Sequence, residues 1–219
     1  MNRLRLTKTI LFLAALVPLA RLGWKALHGG LGANPIEVIT HSTGDWTLRL
    51  ILVTLTITPL RRITKQYWLI GVRRMIGLFA FFYGSLHFTT YIWLDKFFDL
   101  HEVFKDIAKR PFITVGFSAF VLLIPLAFTS TAGWIRRLGG KNWQRLHRLI
   151  YLTGILGVIH YLWLVKADLH KPLEYAFALG ILLLYRIVMW VSEKRKKAAV
   201  PARPRTSAEV TEAQASPLR

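Results

Sequence analysis

Six apolar runs dominate this chain, each close to the length that a helix needs to cross a bilayer. A spanning helix takes about 20 mostly apolar residues, each rising about 1.5 Å along the axis. The runs lie at 9–27, 46–60, 75–94, 112–130, 146–165 and 173–191. The second is short and draws on its flanks. Pro18 and Pro125 fall inside runs, which neighbouring helices in a bilayer tolerate. The expected fold is all-α: a polytopic membrane protein with six transmembrane helices. Residues 1–192 form its membrane domain. No repeat of 20–50 residues is visible, which excludes a solenoid. From 193 to 219 the chain turns polar and rich in Ala, Pro, Ser, Lys and Arg; a disordered basic tail is expected there.

Charge sorts by loop. The 30 Lys and Arg stand against 11 Asp and Glu, a net charge of +19. A soluble nucleic-acid binder this basic would be more polar, whereas 53% of the chain is hydrophobic and its mean hydropathy is +0.39. No nucleic-acid partner is expected; the bilayer is the partner that composition points to. Arg3, Arg5 and Lys8 precede the first run. Arg61, Arg62, Lys65, Arg73 and Arg74 lie between the second and third, and Arg136, Arg137, Lys141 and Arg145 between the fourth and fifth. The connections 95–110 and 166–171 carry acids as well as bases. With six crossings all the strongly basic segments share one side, so the positive-inside rule places both termini in the cytoplasm. A cleaved signal peptide competes for the N-terminus, but Arg21 and Lys25 stand where small residues would be wanted. Absence of Cys removes thiolate zinc sites, iron–sulfur clusters and Cys nucleophiles.

Histidine is therefore the candidate metal chemistry. His28, His41, His101 and His170 fall in predicted outer connections and read as solvated polar residues. His87 in the third run and His160 in the fifth lie 7 and 5 residues from the predicted outer ends. Both imidazoles are thus about 8–10 Å below the outer boundary. Two readings stand for the pair: hydrogen bonding across helices to Ser, Thr or a backbone carbonyl, and bis-axial ligation of a haem iron by neutral imidazoles. Matched depth favours haem, as do Gly84 and Gly157, each three residues before its histidine. His147, 13 residues before His160, lies roughly 20 Å down the helix. There it suits an inner cofactor or a second haem, or a hydrated interfacial histidine between Arg145 and Arg148. Arg73, Arg74, Arg145 and Arg148 satisfy the topology rule and are also candidate ligands for propionates or a flavin phosphate. Arg21, Arg49 and Arg186 read as snorkelling residues near the ends of runs, and the Trp residues as an interfacial belt.

Several stretches resemble one family: HGGLGANP, TLTITPL, RRMIGL, LHFTTY, AFTS, and above all NWQRLHRLIYL followed by IHYLWLVK. They resemble the MsrQ family, formerly YedZ, of haem-binding membrane subunits in the methionine-sulfoxide reductase system of Gram-negative bacteria. That family falls within the ferric-reductase-like transmembrane group. The resemblance covers nearly all of residues 1–191. It implies b-type haem and FMN as cofactors and an inner-membrane location. It also implies electron delivery from the quinone pool or a cytosolic flavin reductase to MsrP, a periplasmic molybdopterin enzyme. Residue by residue, it implies His87 and His160 as axial ligands and His147 as a third functional histidine. The wider group often stacks two bis-histidine haems, and the pair Arg73 and Arg74 departs from that pattern.

The expected function is electron transfer across the membrane in support of protein repair, without reduction of methionine sulfoxide by this chain itself. A small transporter or assembly factor with proton-handling histidines is the alternative from another class. A quinol- or ferric-reducing enzyme with its own acceptor site is a third reading.

Overall fold

The computed structural model describes residues 3–165 and 168–199, and among them the chain is helical, without strands. In order come α1 (Arg3–Leu27), α2 (Pro35–Thr64), α3 (Leu69–Thr90) with a π-helical turn (Tyr91–Asp95), and α4 (Leu100–Lys109). Then follow α5 (Pro111–Phe128), α6 (Ala132–Leu138), α7 (Gly140–Leu146), α8 (Leu149–Leu164) and α9 (His170–Ala199). The chain divides into two units, Met1–Leu183 and Leu184–Arg219. In the second, the described residues continue α9 as far as Ala199, with Lys194 Nζ 3.9 Å from the centre of the Trp190 ring. Most of the expected disordered tail, 200–219, lies outside the described residues.

Among the described residues, four helical segments are long and apolar enough to cross a membrane: Leu4–Leu27, Leu69–Asp95, Pro111–Phe128 and His170–Lys196. Large side chains such as Leu13 and Phe177 are exposed on them, as expected where the surrounding medium is lipid. This is a multi-pass membrane protein. The predicted second run, 46–60, proves to be the middle of a 30-residue helix. Asn34 caps α2 by accepting from Glu37 N at 3.3 Å, and Pro35 occupies its first turn, where no amide partner is needed. His41, expected in a loop, therefore lies on α2. The connections 95–110 and 131–146 are helical too. Asp99 caps α4 and Thr131 caps α6, each accepting from the amide three residues on.

α2 packs along α3, and α5 packs along α8. Leu48, Ile51 and Leu55 of α2 recur at helical spacing and meet Phe79, Ala80 and Tyr83 of α3, Leu123 and Leu126 of α5, Val158 of α8 and Leu179 of α9. Tyr83, almost wholly buried, donates its hydroxyl to Ala15 O of α1 at 2.7 Å. In lipid such interhelical bonds add specificity more than bulk energy. Tyr83→Phe is expected to destabilise the bundle by about 0.6–1.7 kcal/mol, measured by unfolding in mixed micelles.

Candidate haem site

The pairs α2–α3 and α5–α8 enclose a single cavity of about 480 Å³, lined by His41 and His87 from the first pair and His160 from the second, within the usual size of cofactor pockets. His87 of α3 and His160 of α8 face each other across it, ring centres 6.2 Å apart and planes at 76°. A metal–imidazole bond of about 2 Å on either side of one iron, plus the ring radii, puts axial rings about 6 Å apart. The distance fits a shared iron.

The second nitrogen of each ring is held by backbone. His87 Nδ1 donates to Thr40 O of α2 at 2.9 Å, and His160 Nδ1 donates to Phe112 O of α5 at 2.6 Å. A carbonyl can only accept, so these bonds fix the proton on Nδ1. Nε2 is left as the lone-pair nitrogen, the ligating tautomer. The two halves are built alike. Four residues after each carbonyl stands a glycine, Gly44 on α2 and Gly116 on α5, and the imidazole lies against it. A Cβ on Gly44 would come within 3.0 Å of the His87 ring, and one on Gly116 within 2.5 Å of His160 Nδ1. The rings reach the helix carbonyls because neither glycine carries a side chain.

Gly84 and Gly157 also line the cavity, as their spacing suggested. A Cβ at either would make only ordinary contacts, no closer than 3.4 Å. The close approaches thus come from the facing helices, where no sequence motif marks them. The signal that was available is the recurrence of Gly-x-x-His-aromatic at 84–88 and 157–161. Phe88, Phe117 and Phe120 form an apolar wall, with Phe88 and Phe120 stacked 4.8 Å apart. Asn34, Glu37, His41, Asp45, Asp95 and Arg110 supply the polar part of the lining. Arg49, read as snorkelling, is engaged instead: its Nε donates to Tyr175 Oη at 2.8 Å, and it pairs with Asp45 at 3.4 Å.

His147 lies elsewhere, at the end of α7, where α5 gives way to α6. Its Nε2 shares a hydrogen bond with Thr129 Oγ1 at 3.1 Å, and its ring stacks 3.9 Å from that of Trp143. Arg73 is close enough to act on its charge. Arg74, Arg145 and Arg148 are exposed. None of these residues lines the histidine cavity. Among the described residues no cluster of three or more His, Asp or Glu side chains is arranged to hold a bare metal ion.

Residues 43–158 match the family described as ferric reductase like transmembrane component. Its span takes in Gly44, His87, Arg110, Gly116 and His147 and stops two residues short of His160. A protein of Herminiimonas arsenicoxydans, named protein-methionine-sulfoxide reductase heme-binding subunit MsrQ, is 57% identical over 197 residues, covering 89% of this chain and 90% of its own. This chain belongs to the MsrQ family. MsrQ of Xanthomonas campestris pv. campestris is 50% identical over 203 residues, 90% of this chain and 93% of that protein. MsrQ of Bordetella pertussis is 51% identical over 185 residues, with 84% and 89% covered. Matches of this extent place nearly the whole membrane unit, both histidine-bearing helix pairs included, within the MsrQ family.

Proposed function

We propose that this MsrQ-family chain is a b-type cytochrome of the inner membrane, with haem held between His87 and His160. The observation that carries the proposal is the facing pair of imidazoles, 6.2 Å apart and each tied through Nδ1 to a backbone carbonyl. Its relatives are named as heme-binding subunits of a methionine-sulfoxide reductase, which agrees with that chemistry. Bound haem supplies a one-electron couple in the low-dielectric part of the bundle. The chain does the rest. Thr40 O and Phe112 O orient the rings and raise their basicity, which favours the oxidised form and lowers the potential. Phe88, Phe117, Phe120, Leu48 and Ile51 line the cavity and exclude water from it.

In this proposal α2 and α8 complete a six-span bundle with both termini cytoplasmic. The sorting of basic residues supports it. The cavity is lined from the N-terminal half of α2, the C-terminal half of α3, the start of α5 and the end of α8. These are the ends opposite the basic connections, so the haem lies toward the periplasm. Electrons come from the quinone pool or a cytosolic flavin reductase and pass to a periplasmic molybdopterin subunit, MsrP, over the surface of 95–110. One sulfoxide takes two electrons and two protons, so a one-electron carrier turns over twice per repaired residue. FMN, the other cofactor implied by resemblance, would have to bind away from this cavity. Arg73, Arg74, Arg145 and Arg148 remain its candidate phosphate ligands at the cytoplasmic end.

Purified protein is expected to carry one b haem per chain by pyridine-haemochrome assay, with a reducible low-spin spectrum. A colourless, iron-free preparation from haem-replete cells would sink the proposal. His147→Ala is expected to keep that spectrum and to slow reduction by the cytoplasmic-side donor about tenfold or more. An unchanged reduction rate would assign His147 to packing on Trp143 and Thr129 alone.

A further inference from the structure

The cavity carries a feature that the axial pair does not use. Among the described residues, Arg110 is the one guanidinium or ammonium group lining it. Three carboxylates share the lining, and each has a partner. Asp45 pairs with Arg49 at 3.4 Å, Asp95 with Lys96 at 3.8 Å, and Glu37 accepts from Asn34 Nδ2 at 2.8 Å.

Arg110 is not a loose surface residue, although its side chain is 54% exposed. It precedes Pro111 at the start of α5, two residues before Phe112, whose carbonyl holds His160. Its Nε lies 3.3 Å from Oδ1 of Asp106, a carboxylate on α4 that is only 7% exposed. The other oxygen of Asp106 takes Lys96 Nζ at 2.6 Å and the Tyr91 hydroxyl at 3.3 Å. The Lys96 ammonium holds the Asp106 carboxyl below the usual carboxylate range, so this knot stays charged at neutral pH. It ties the π turn after α3, helix α4 and the start of α5 into one rim. A guanidinium has five N–H donors in a planar fork. Asp106 occupies Nε, and the two terminal nitrogens remain available for a second planar carboxylate.

We propose that Arg110 is the propionate anchor of the haem cavity and that Asp106 is its positioning residue. This rests on the haem reading above. The chemistry is specific: haem carries two carboxylates at one edge, and a fixed guanidinium at the rim of an apolar cavity matches one of them in charge and shape. Arg110 then sets which edge of the macrocycle faces the rim. As a fixed positive charge it also stabilises the reduced haem, which carries one charge fewer.

Redox titration of the purified holoprotein, together with haem transfer to excess apomyoglobin, tests the proposal. Arg110→Gln is expected to shift the reduction equilibrium about tenfold toward the oxidised haem, which is about 59 mV for a one-electron couple. Haem loss should also become about tenfold faster. Arg110→Lys, which keeps the charge, is expected to restore most of the midpoint. Asp106→Asn, which keeps the Arg110 charge but releases its Nε, is expected to speed haem loss toward the Arg110→Gln rate and to add nothing further in the Arg110→Gln background, a non-additivity that a merely structural role would not produce. Wild-type midpoint and haem retention in Arg110→Gln would overturn the assignment, and so would equal haem loss in Arg110→Gln and Arg110→Lys. Should Asp106→Asn not accumulate, the two Arg110 variants decide alone. A wild-type protein without haem overturns the cytochrome reading itself. A haem-bearing wild type with an unchanged Arg110→Gln overturns the anchor only.

Discussion

His87→Ala and His160→Ala should each abolish the low-spin haem spectrum while leaving the helical bundle intact. The magnitude follows from the geometry. In the proposed site each imidazole would supply one of two axial bonds, and no other histidine is placed to substitute. His41 lines the same cavity from α2, but the facing, carbonyl-anchored pair consists of His87 and His160 alone. Loss of the fold is not expected, because each truncation removes only one bond to a carbonyl inside a helix. Thr40 O and Phe112 O keep their amide partners four residues on, at Gly44 and Gly116. The measurement is haem per chain and the reduced-minus-oxidised spectrum of each purified variant, beside its far-UV circular dichroism. Millimolar imidazole added to either variant should restore part of the low-spin signal by filling the vacated space, a rescue that a packing role would not allow. Full low-spin haem in both variants would remove these residues as ligands.

Why this pair was legible in the sequence, and its surroundings were not, is a matter of what each signal encodes. Depth along a helix needs only residue counts. His87 and His160 could be placed at one level because both runs point the same way under the charge rule. Each of the six runs falls on a helix for the same reason, since a long apolar segment in lipid has to satisfy its own backbone. The ends were less visible. Hydropathy stops at polar side chains, so the start of α2, with Glu37, His41 and Asp45, read as loop, and Arg49 as a snorkelling residue near the end of the run. In the structure those groups find partners, Arg49 on Tyr175 and Glu37 on Asn34, and the helix continues from a capped start. Short helices were hidden too: α4, α6 and α7 have 10, 7 and 7 residues, below the length at which apolar periodicity stands out.

What holds the histidines was beyond reach because it depends on pairs of helices. Gly44 and Gly116 are isolated glycines in helical segments, and nothing local says that an imidazole from another helix rests on them. Arg110 was counted as one of several bases in an outer connection. Its role emerges only when α4 brings Asp106 beside it and α5 turns the cavity toward it. The glycines picked out from sequence, Gly84 and Gly157, do line the cavity, but on the same helices as the histidines they precede.

Gly116→Ala should accordingly cost most of the bound haem, and Gly157→Ala very little. The added methyl at 116 would stand 2.5 Å from His160 Nδ1, 2.8 Å from Cε1 and 2.9 Å from Cγ. Carbon contacts settle at about 3.5–4.0 Å, so relief requires the ring or helix α5 to move by about 1 Å. A ligand set tolerates about 0.5 Å of misplacement. The movement also breaks the 2.6 Å bond to Phe112 O that fixes the tautomer, so ligation and proton placement fail together. At 157 the methyl meets only Leu48 Cδ1, at 3.4 Å, an ordinary contact with a side chain that can yield. Gly44→Ala falls between, at 3.0 Å from Cε1 and 3.1 Å from Nδ1 of His87. The expected order of haem occupancy is therefore wild type and Gly157→Ala together, then Gly44→Ala, then Gly116→Ala, with the last about tenfold below the first. Haem per chain read beside thermal unfolding checks it, since the general effect of Gly→Ala in a helix acts alike in all three and favours stability, whereas the clash with His160 acts at 116 alone. A Gly116→Ala protein with full haem and an unaltered low-spin spectrum would mean that His160 binds from a position other than the one it holds against α5.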